Sequence, residues 1–206
     1  MLATDLKIVT QTRLPTRYGD FVMTGFSTFA DGLEHVALVR GQPKGCADVL
    51  VRLHSECMTG DVFGSLRCDC GDQLDMAMEK IAAENLGAVL YLRQEGRGIG
   101  LGNKLRAYAL QDGGMDTVEA NHALGFADDA RDFAPAIHML RALGIGSVRL
   151  LTNNPRKCAA LEAGGIFVKR VPLLSCASVD NAAYLNTKAE KLGHILSAQD
   201  KKAKAR

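Results

Sequence analysis

Three of the six cysteines lie within fourteen positions of one another, at Cys57, Cys68 and Cys70. Thiolate is a strong zinc ligand. Structural zinc sites usually have four protein ligands, whereas catalytic sites have three and keep one position open. Cys46 stands eleven residues before Cys57 in a separate predicted loop, so the cluster offers three ligands. The set indicates a catalytic type of zinc site. Because C-x10-C-x-C is not a common finger or ribbon spacing, buried or redox-active thiols remain the alternative.

A histidine and a glutamate, His54 and Glu56, immediately precede this cluster. An H-x-E pattern occurs in zinc deaminases, where the Glu is the general acid/base and a P-C-x-x-C segment completes the signature. Here the second half is Cys68-Asp-Cys70, which lacks the proline and is one residue shorter. Two interpretations of His54 therefore stay open, a group of a zinc site or an ordinary strand histidine.

The Gly-rich segment EGRGIGLGNK, residues 95–104, follows a predicted strand and opens a predicted helix. Free backbone amides at such a junction often bind phosphate. The segment is neither a Walker A loop nor a Rossmann fingerprint, and a tight connection is the simpler explanation. Arg97 favours the anion-binding interpretation, because a guanidinium can bind phosphate or a purine edge.

A second strand-to-helix junction has the sequence LLTNNPRK, residues 150–157. Asn154 is the predicted N-cap and Pro155 the first helical residue. Arg156 and Lys157 follow in the first turn, where cations oppose the helix dipole. A bound phosphate would explain them, and two solvated side chains are the alternative.

Acids surround Arg131 in the segment FADDARDF. Asp128, Asp129 and Asp132 stand just before a predicted helix, where acids usually act as caps. A catalytic Asp–Arg pair is the sharper alternative. Tyr108, on the helix after the Gly-rich segment, is most simply a core or edge aromatic.

The elements that must position these residues are of two kinds. Short β-branched or alternating runs predict strands at 21–29, 33–40 and 48–54. Apolar periodicity then predicts helices at 72–84, 103–111, 132–144, 154–165 and 186–196, strands at 87–93, 147–152 and 166–172, and a loop at 113–122. The order indicates an α/β fold: a single mixed α/β domain, residues 1–197, with a strand-rich N-terminal part followed by alternating strands and helices and a partly parallel sheet.

Composition and charge limit the class of protein. The chain of 206 residues is 47% hydrophobic and has no apolar run of about 18 residues that could span a membrane. Its N-terminus lacks the pattern of a secretory signal, so we expect a cytoplasmic protein with reduced thiols. Residues 201–206 carry four positive charges, and without them the net charge of +2 becomes −2, which argues against a nucleic-acid partner. Residues 198–206 are expected to be a disordered basic tail.

Six motifs together resemble one family, GTP cyclohydrolase II, in its monofunctional form. They are RLHSECMTGD, SLRCDCGDQL, RQEGRGIGLGNKLRAYALQD, DTVEANHALGFADDARDF, LLTNNPRK and NAAYLNTKAEKLGH, in the family's order within residues 10–196. The resemblance implies the fold of that family and the first committed step of riboflavin biosynthesis. In this step GTP is hydrolysed to formate, pyrophosphate and 2,5-diamino-6-(5-phosphoribosylamino)pyrimidin-4(3H)-one. It further implies Zn²⁺, one ion per subunit, Mg²⁺ with the triphosphate, and a homodimer.

The resemblance also implies three groups of site residues. The zinc ligands would be Cys57, Cys68 and Cys70. The residues that bind GTP would be Arg52, Leu53, His54, Ser55, Glu56, Gln73, Glu95, Gly96, Arg97, Thr117, Thr152 and Lys157. The catalytic residues would be Asp129 as proton acceptor, Arg131 as the nucleophile at the α-phosphate, and Tyr108 near the guanine during ring opening.

The expected chemistry fits these residue types. Zinc-bound water would open the imidazole at C8 and release formate, with Arg52 and Arg67 as cations near the thiolates. Glu56 or Glu95 would accept hydrogen bonds from the guanine. Arg131 and other cations, with Mg²⁺, would assist pyrophosphate release. Because a free guanidinium has a pKa above about 12, charge stabilisation by Arg131 is a milder role than nucleophilic attack.

Two other functions remain as alternatives. A zinc-dependent nucleobase deaminase would release ammonia instead of formate, and the missing P-C-x-x-C segment counts against it. A zinc-stabilised binding module would have no turnover, and the charge of −2 on the body of the chain counts against a nucleic-acid partner for it.

Overall fold

Seven strands form one mixed sheet in the computed structural model, which describes residues 7–27, 32–175, 178 and 180–195. The strands are β1 (Ile8–Thr16), β2 (Gly19–Phe26), β3 (Val36–Arg40), β4 (Val49–Ser55), β5 (Gly87–Leu92), β6 (Ser147–Leu151) and β7 (Phe167–Val171). Their order is β1-β2-β3-β5-β4-β6-β7. The pairs β1-β2, β2-β3 and β3-β5 are antiparallel. The pairs β5-β4, β4-β6 and β6-β7 are parallel. The predicted α/β class with a partly parallel sheet is confirmed.

The burial of each strand follows its sequence. β4 and β5 lie in the middle of the sheet and are buried almost throughout, as strands covered on both faces must be. β1 (sequence IVTQTRLPT) is an edge strand and is mostly exposed. β1 gives no separate strand signal in the sequence, because its polar residues leave no clear apolar face.

Helices cover both faces of the sheet. They are α1 (Met58–Asp61), α2 (Cys70–Glu84), α3 (Leu101–Asp112), α4 (Thr117–Ala123), α5 (Ala134–Ala142), α6 (Pro155–Ala163) and α7 (Ala182–Glu190), with a 3₁₀ turn at Glu95–Gly98. Ile81 of α2 belongs to the core on one face. Met139 of α5 and Leu161 of α6 belong to the core on the other face. The parallel strands therefore end together at one edge, where ligand sites of open α/β sheets lie.

Two of the predicted elements are corrected by the structure. The loop predicted at 113–122 is wrong, because α4 begins at Thr117. Its N-cap is a capping box in which Asp116 accepts hydrogen bonds from the first turn and the Glu119 side chain accepts from the backbone of Asp116. The last helix, predicted at 186–196, spans Ala182–Glu190 and so starts and ends earlier.

No helix in the described part of the chain has both the length and the apolar character that crossing a membrane requires. The basic tail predicted at 198–206 and Cys176 lie outside the described residues.

Candidate active site

A cleft at the carboxyl edge of the parallel strands encloses about 1000 Å³, counting its open mouth. It brings together most of the residues singled out in the sequence: Arg52, His54, Ser55, Glu56, Cys57, Cys68, Cys70, Gln73, Glu95, Gly96, Arg97, Tyr108, Thr117, Arg131, Thr152 and Lys157. The side chain of Leu53 is instead fully buried in the core. Its carbonyl oxygen contacts a residue of the cleft by accepting a hydrogen bond from Lys157. Asp129 does not line the cleft but binds Arg131, which does.

The three cysteine sulfurs form a compact cluster that could hold a metal ion. All three Sγ atoms lie within 4.8 Å of one another, and those of Cys57 and Cys68 are 3.6 Å apart. Tetrahedral zinc with Zn–S bonds of about 2.3 Å requires sulfurs about 3.8 Å apart, so the donor set fits this ion. Gly60 makes the approach possible, because a Cβ there would stand 2.9 Å from Cys68 Sγ and 3.3 Å from Cys57 Sγ.

The thiols of the cluster share their protons unequally. Hydrogen bonds from Cys68 and Cys70 lower the pKa of Cys57 well below its usual range. The same contact with Cys57 raises the pKa of Cys68 to about 11, and the pKa of Cys70 is also raised. The cluster thus carries one thiolate readily, and a metal ion would have to displace two further protons.

Lys104, which the sequence analysis missed, supplies the cation beside the thiolate. Its Nζ is 3.1 Å from Cys57 Sγ and 2.8 Å from Glu95 Oε1. Burial lowers the pKa of Lys104, but Glu95 and Cys57 outweigh it and raise that pKa above the ordinary value. The signal was available, because Lys104 and Tyr108 are four positions apart on α3 and so share a helix face.

The two arginines expected near the cluster are held by other protein groups and make no direct contact with a cysteine sulfur that the structure describes. Arg67 binds Asp112 and stands over the Tyr108 ring, with its Cζ 4.9 Å from the centroid. Arg52 donates to the carbonyl of Leu151 and to Gln73 Oε1. Both are tied to protein groups, and the direct partner of a thiolate is Lys104.

Asp61, also missed, fixes the histidine behind the cluster. His54 Nε2 is 3.0 Å from both carboxylate oxygens of Asp61, which also accepts hydrogen bonds from Cys57 N at 3.0 Å and Tyr91 OH at 2.9 Å. Burial lowers the pKa of His54, so the ring is neutral. Its Nδ1 is buried without a hydrogen-bond partner. His54 is thus held by a network that also binds a cluster cysteine.

The lining of the cleft is also rich in cations. Arg97 adopts a left-handed backbone conformation (φ 61°), and both its terminal nitrogens are buried without a protein partner. Lys157 is also buried, and its pKa is lowered by burial and by the charges of Arg52 and Arg131. Buried donors without partners, next to crowded positive charge, suit an anionic ligand.

The sequence left two roles open for the acids before α5, a hydrogen bond to the start of the helix and a pairing with Arg131. The structure assigns these roles to two different residues. Asp132, one residue before the N-cap of α5, accepts a hydrogen bond from Ala134 N, the first amide of that helix, at 2.8 Å. Asp129 is bidentate to Arg131, at 2.8 Å and 2.7 Å, and lies 3.0 Å from Arg156. Burial raises the pKa of Asp129, but Arg131 outweighs this and lowers it below the usual range.

Two glutamates and a tyrosine complete the site. Glu95 is fully engaged, since its Oε2 accepts from Met58 N at 2.6 Å and its Oε1 binds Lys104. Glu56 Oε2 lies 3.2 Å from Arg93 Nε. Burial raises the pKa of Tyr108 to about 12, which keeps its hydroxyl protonated.

Comparisons with known proteins place the chain in a family. Residues 7–172 match the model of the family GTP cyclohydrolase II. GTP cyclohydrolase-2 of Escherichia coli O9:H4 (strain HS) and that of E. coli strain K12 / DH10B are each 58% identical over 193 residues, which is 93% of this chain and 98% of the relative. Among solved structures, the two-domain 3,4-dihydroxy-2-butanone 4-phosphate synthase RibBX from A. baumannii is 20% identical with a TM-score of 0.48. That match covers 84% of this chain and 42% of that one. The chain belongs to the GTP cyclohydrolase II family.

Proposed function

We propose that the protein is a zinc- and magnesium-dependent GTP cyclohydrolase II that converts GTP to formate, pyrophosphate and the diaminopyrimidinone of riboflavin biosynthesis. The observation that carries this is the three-thiol cluster in the same cleft as a wall of buried cations. One side of the cleft suits a metal ion, and the other suits a triphosphate. A homodimer in the cytoplasm, with no nucleic-acid partner, completes the proposal.

The guanine belongs near the cysteine cluster. A zinc ion bound by the three sulfurs would supply a Lewis acid for the attack of water on C8. Glu56 is the better acceptor for guanine N1–H and the 2-amino group, because both oxygens of Glu95 already have partners within the protein. Tyr108 remains protonated and can donate to the nitrogen released when the ring opens.

The triphosphate belongs at the cationic wall. Arg97 has two terminal nitrogens without protein partners, which phosphate oxygens would satisfy. Arg131 and Lys157 add positive charge, and Mg²⁺ would bind with the phosphates. Since Arg131 is held by Asp129, its role is to stabilise charge at the α-phosphate while water attacks.

A turnover assay tests the proposal. Incubation with GTP, Mg²⁺ and Zn²⁺ should yield formate and pyrophosphate with loss of the purine absorbance. Cys57→Ser should abolish formate release, whereas the matched Cys158→Ser, at a half-buried thiol outside the cleft, should keep it. Ammonia without formate would favour the deaminase, and equal formate from the wild type and Cys57→Ser would overturn the proposal.

A further inference from the structure

The C-terminal arm, defined as residues 173–175 and 180–195, lies beyond residue 172, where the match to the family model ends. It nevertheless supplies part of the cleft wall, through Tyr184, Lys188 and His194. None of these was expected from the sequence to belong to the site.

Asp69, between the cluster residues Cys68 and Cys70, is the point at which the arm meets the metal site. It holds the N-cap position of α2, but its side chain makes no cap hydrogen bond. The carboxylate, 2% exposed, instead binds Lys188 Nζ at 2.5 Å and Ser175 Oγ at 3.1 Å. An aspartate at an N-cap ordinarily accepts hydrogen bonds from the helix amides, whereas Asp69 binds two residues of the arm.

The same carboxylate extends the contact to the sheet. Gln73 Nε2 donates to Asp69 at 2.5 Å, and Gln73 Oε1 accepts from Arg52 at 2.6 Å. Arg52 in turn donates to the carbonyl of Leu151 at the end of β6. Lys188, Asp69, Gln73 and Arg52 thus form one hydrogen-bonded chain from the arm to β6, and Asp69 within it stands between two of the cluster cysteines in the sequence.

Further contacts keep the arm in place. Asn153, after β6, exchanges two side-chain hydrogen bonds with the backbone of Leu173, and its carbonyl accepts from Ile195 N at 2.9 Å. Lys188 Nζ lies 4.4 Å from the centroid of the Tyr184 ring, and Arg97 stands over the same ring at 5.7 Å. The arm therefore touches both the metal side and the cationic side of the cleft.

Charge gives the Lys188 contact its importance. With Zn²⁺ bound, three ligand thiolates and the carboxylate of Asp69 would leave a net charge of −2 in one buried region, since the ion offsets only two of the four negative charges. A buried carboxylate that loses its cation is strongly destabilised. Lys188 supplies that cation, and no substitute is in direct contact, since the other described partners of Asp69, Ser175 and Gln73, are neutral.

We propose that Lys188 is a positioning residue that acts through Asp69 to hold Cys68 and Cys70 in the geometry zinc requires. The C-terminal arm is then a working part of the metal site, not a trailing segment. This inference rests on the proposed zinc site, and it concerns metal affinity, which can be measured without any turnover of GTP.

Metal affinity of the full chain is the test. Zinc dissociation constants come from competition with a chromophoric chelator. The thiolate-to-cobalt charge-transfer band of the Co²⁺-loaded protein reports the ligand geometry. Lys188→Met should weaken zinc binding by about 10- to 100-fold and change the cobalt band, as loss of an outer-shell partner does. Lys188→Arg should recover most of the affinity. The matched control is Lys80→Met, an exposed lysine of α2, and it should bind like the wild type.

A double-mutant cycle shows whether Lys188 acts through Asp69. In an Asp69→Asn background the effect of Lys188→Met should shrink several-fold, because the carboxylate that needs the cation is gone. Ser175→Ala removes a neutral donor to the same carboxylate and should weaken zinc binding less than Lys188→Met. It serves as the deciding variant if Lys188→Met does not fold.

The outcomes separate the two proposals. If the wild type binds neither Zn²⁺ nor Co²⁺ through the cysteines, the proposed function fails and this inference fails with it. If the wild type binds zinc and folded Lys188→Met binds within twofold of it, this inference alone is overturned. If Lys188→Met does not fold, a Ser175→Ala variant that binds zinc within twofold of the wild type overturns this inference in the same way. Equal effects of Lys188→Met in both backgrounds would also overturn it.

Discussion

At the scale of single residues, the sequence indicated which groups are present but not which of them touch. The cysteine spacing pointed to three sulfurs in one cluster, and the structure brings them within 4.8 Å of one another. Lys104 and Asp61 were missed, although each makes a direct hydrogen bond to the cluster residue Cys57. The spacing of Lys104 from Tyr108 on α3 was a signal for the lysine, whereas nothing local marked Asp61, whose contacts to His54 and Tyr91 are tertiary.

Lys104 provides the first prediction at this scale. Lys104→Met removes the cation beside Cys57 Sγ and leaves Glu95 without its charge partner. We expect kcat with GTP to fall about 10- to 100-fold with a smaller change in KM, and zinc affinity to weaken, since outer-shell contacts tune bound metals.

Steady-state kinetics and metal analysis check this expectation, and Arg106→Met on the exposed face of α3 is the control. Lys104→Arg should restore part of the activity. A rise in KM with unchanged kcat would contradict the assigned place of Lys104 beside the metal.

At the scale of elements, strands and long helices followed from apolar periodicity, whereas short elements did not. α4 has seven residues and was predicted as a loop. Its capping box, Asp116 with Glu119, stands in the sequence and could have been recognised. Periodicity is weak over fewer than two turns, so the cap was the available signal. It matters because α4 begins at Thr117, which lines the cleft.

The α4 cap gives a prediction about stability. Asp116→Ala removes the acceptor for the amides of Val118 and Glu119, and should lower the free energy of unfolding by about 1 kcal/mol. Since Thr117 would lose its fixed position, KM for GTP should rise as well. Denaturant titration and kinetics measure the two effects.

Asp116→Asn is the matched control, because asparagine caps nearly as well as aspartate. Equal losses of stability in the two variants would indicate that charge, and not the cap, is what Asp116 provides.

At the scale of the whole molecule, the cleft depends on contacts between distant parts of the chain. Asp69 and Lys188 are 119 positions apart, and Arg52 and Leu151 are 99 apart. Local patterns carry no information about such pairs. The α/β class could therefore be predicted from the sequence, whereas the contribution of the C-terminal arm to the cleft could not. The family resemblance supplied most cleft residues but none from the arm.

His194, in the C-terminal arm, gives a prediction about how the stability of the protein depends on pH. Burial, with the nearby charges of Lys188, Lys157, Arg131 and Arg97, lowers its pKa to about 3. Between pH 6.5 and 3 the unfolded chain therefore binds a proton that the folded protein does not. The free energy of unfolding should fall as pH decreases through this window, by at most about 1.4 kcal/mol per pH unit for one proton.

Denaturant titrations at several pH values between 6.5 and 5, above the range of ordinary carboxylates, measure this slope. His194→Gln should make the decline shallower. Part of the slope should remain, because burial also lowers the pKa of His54. Parallel curves for the wild type and His194→Gln would contradict a neutral, half-buried His194 in the folded protein.

The segment that carries the cysteines, residues 57–70, is held in place by three carboxylates. Asp61 binds the amide of Cys57, Glu95 binds the amide of Met58, and Asp69 binds the arm. None of these bonds needs an ion. Because none of the three bonds uses a cysteine sulfur, the segment is shaped without occupying the atoms that would bind a metal ion.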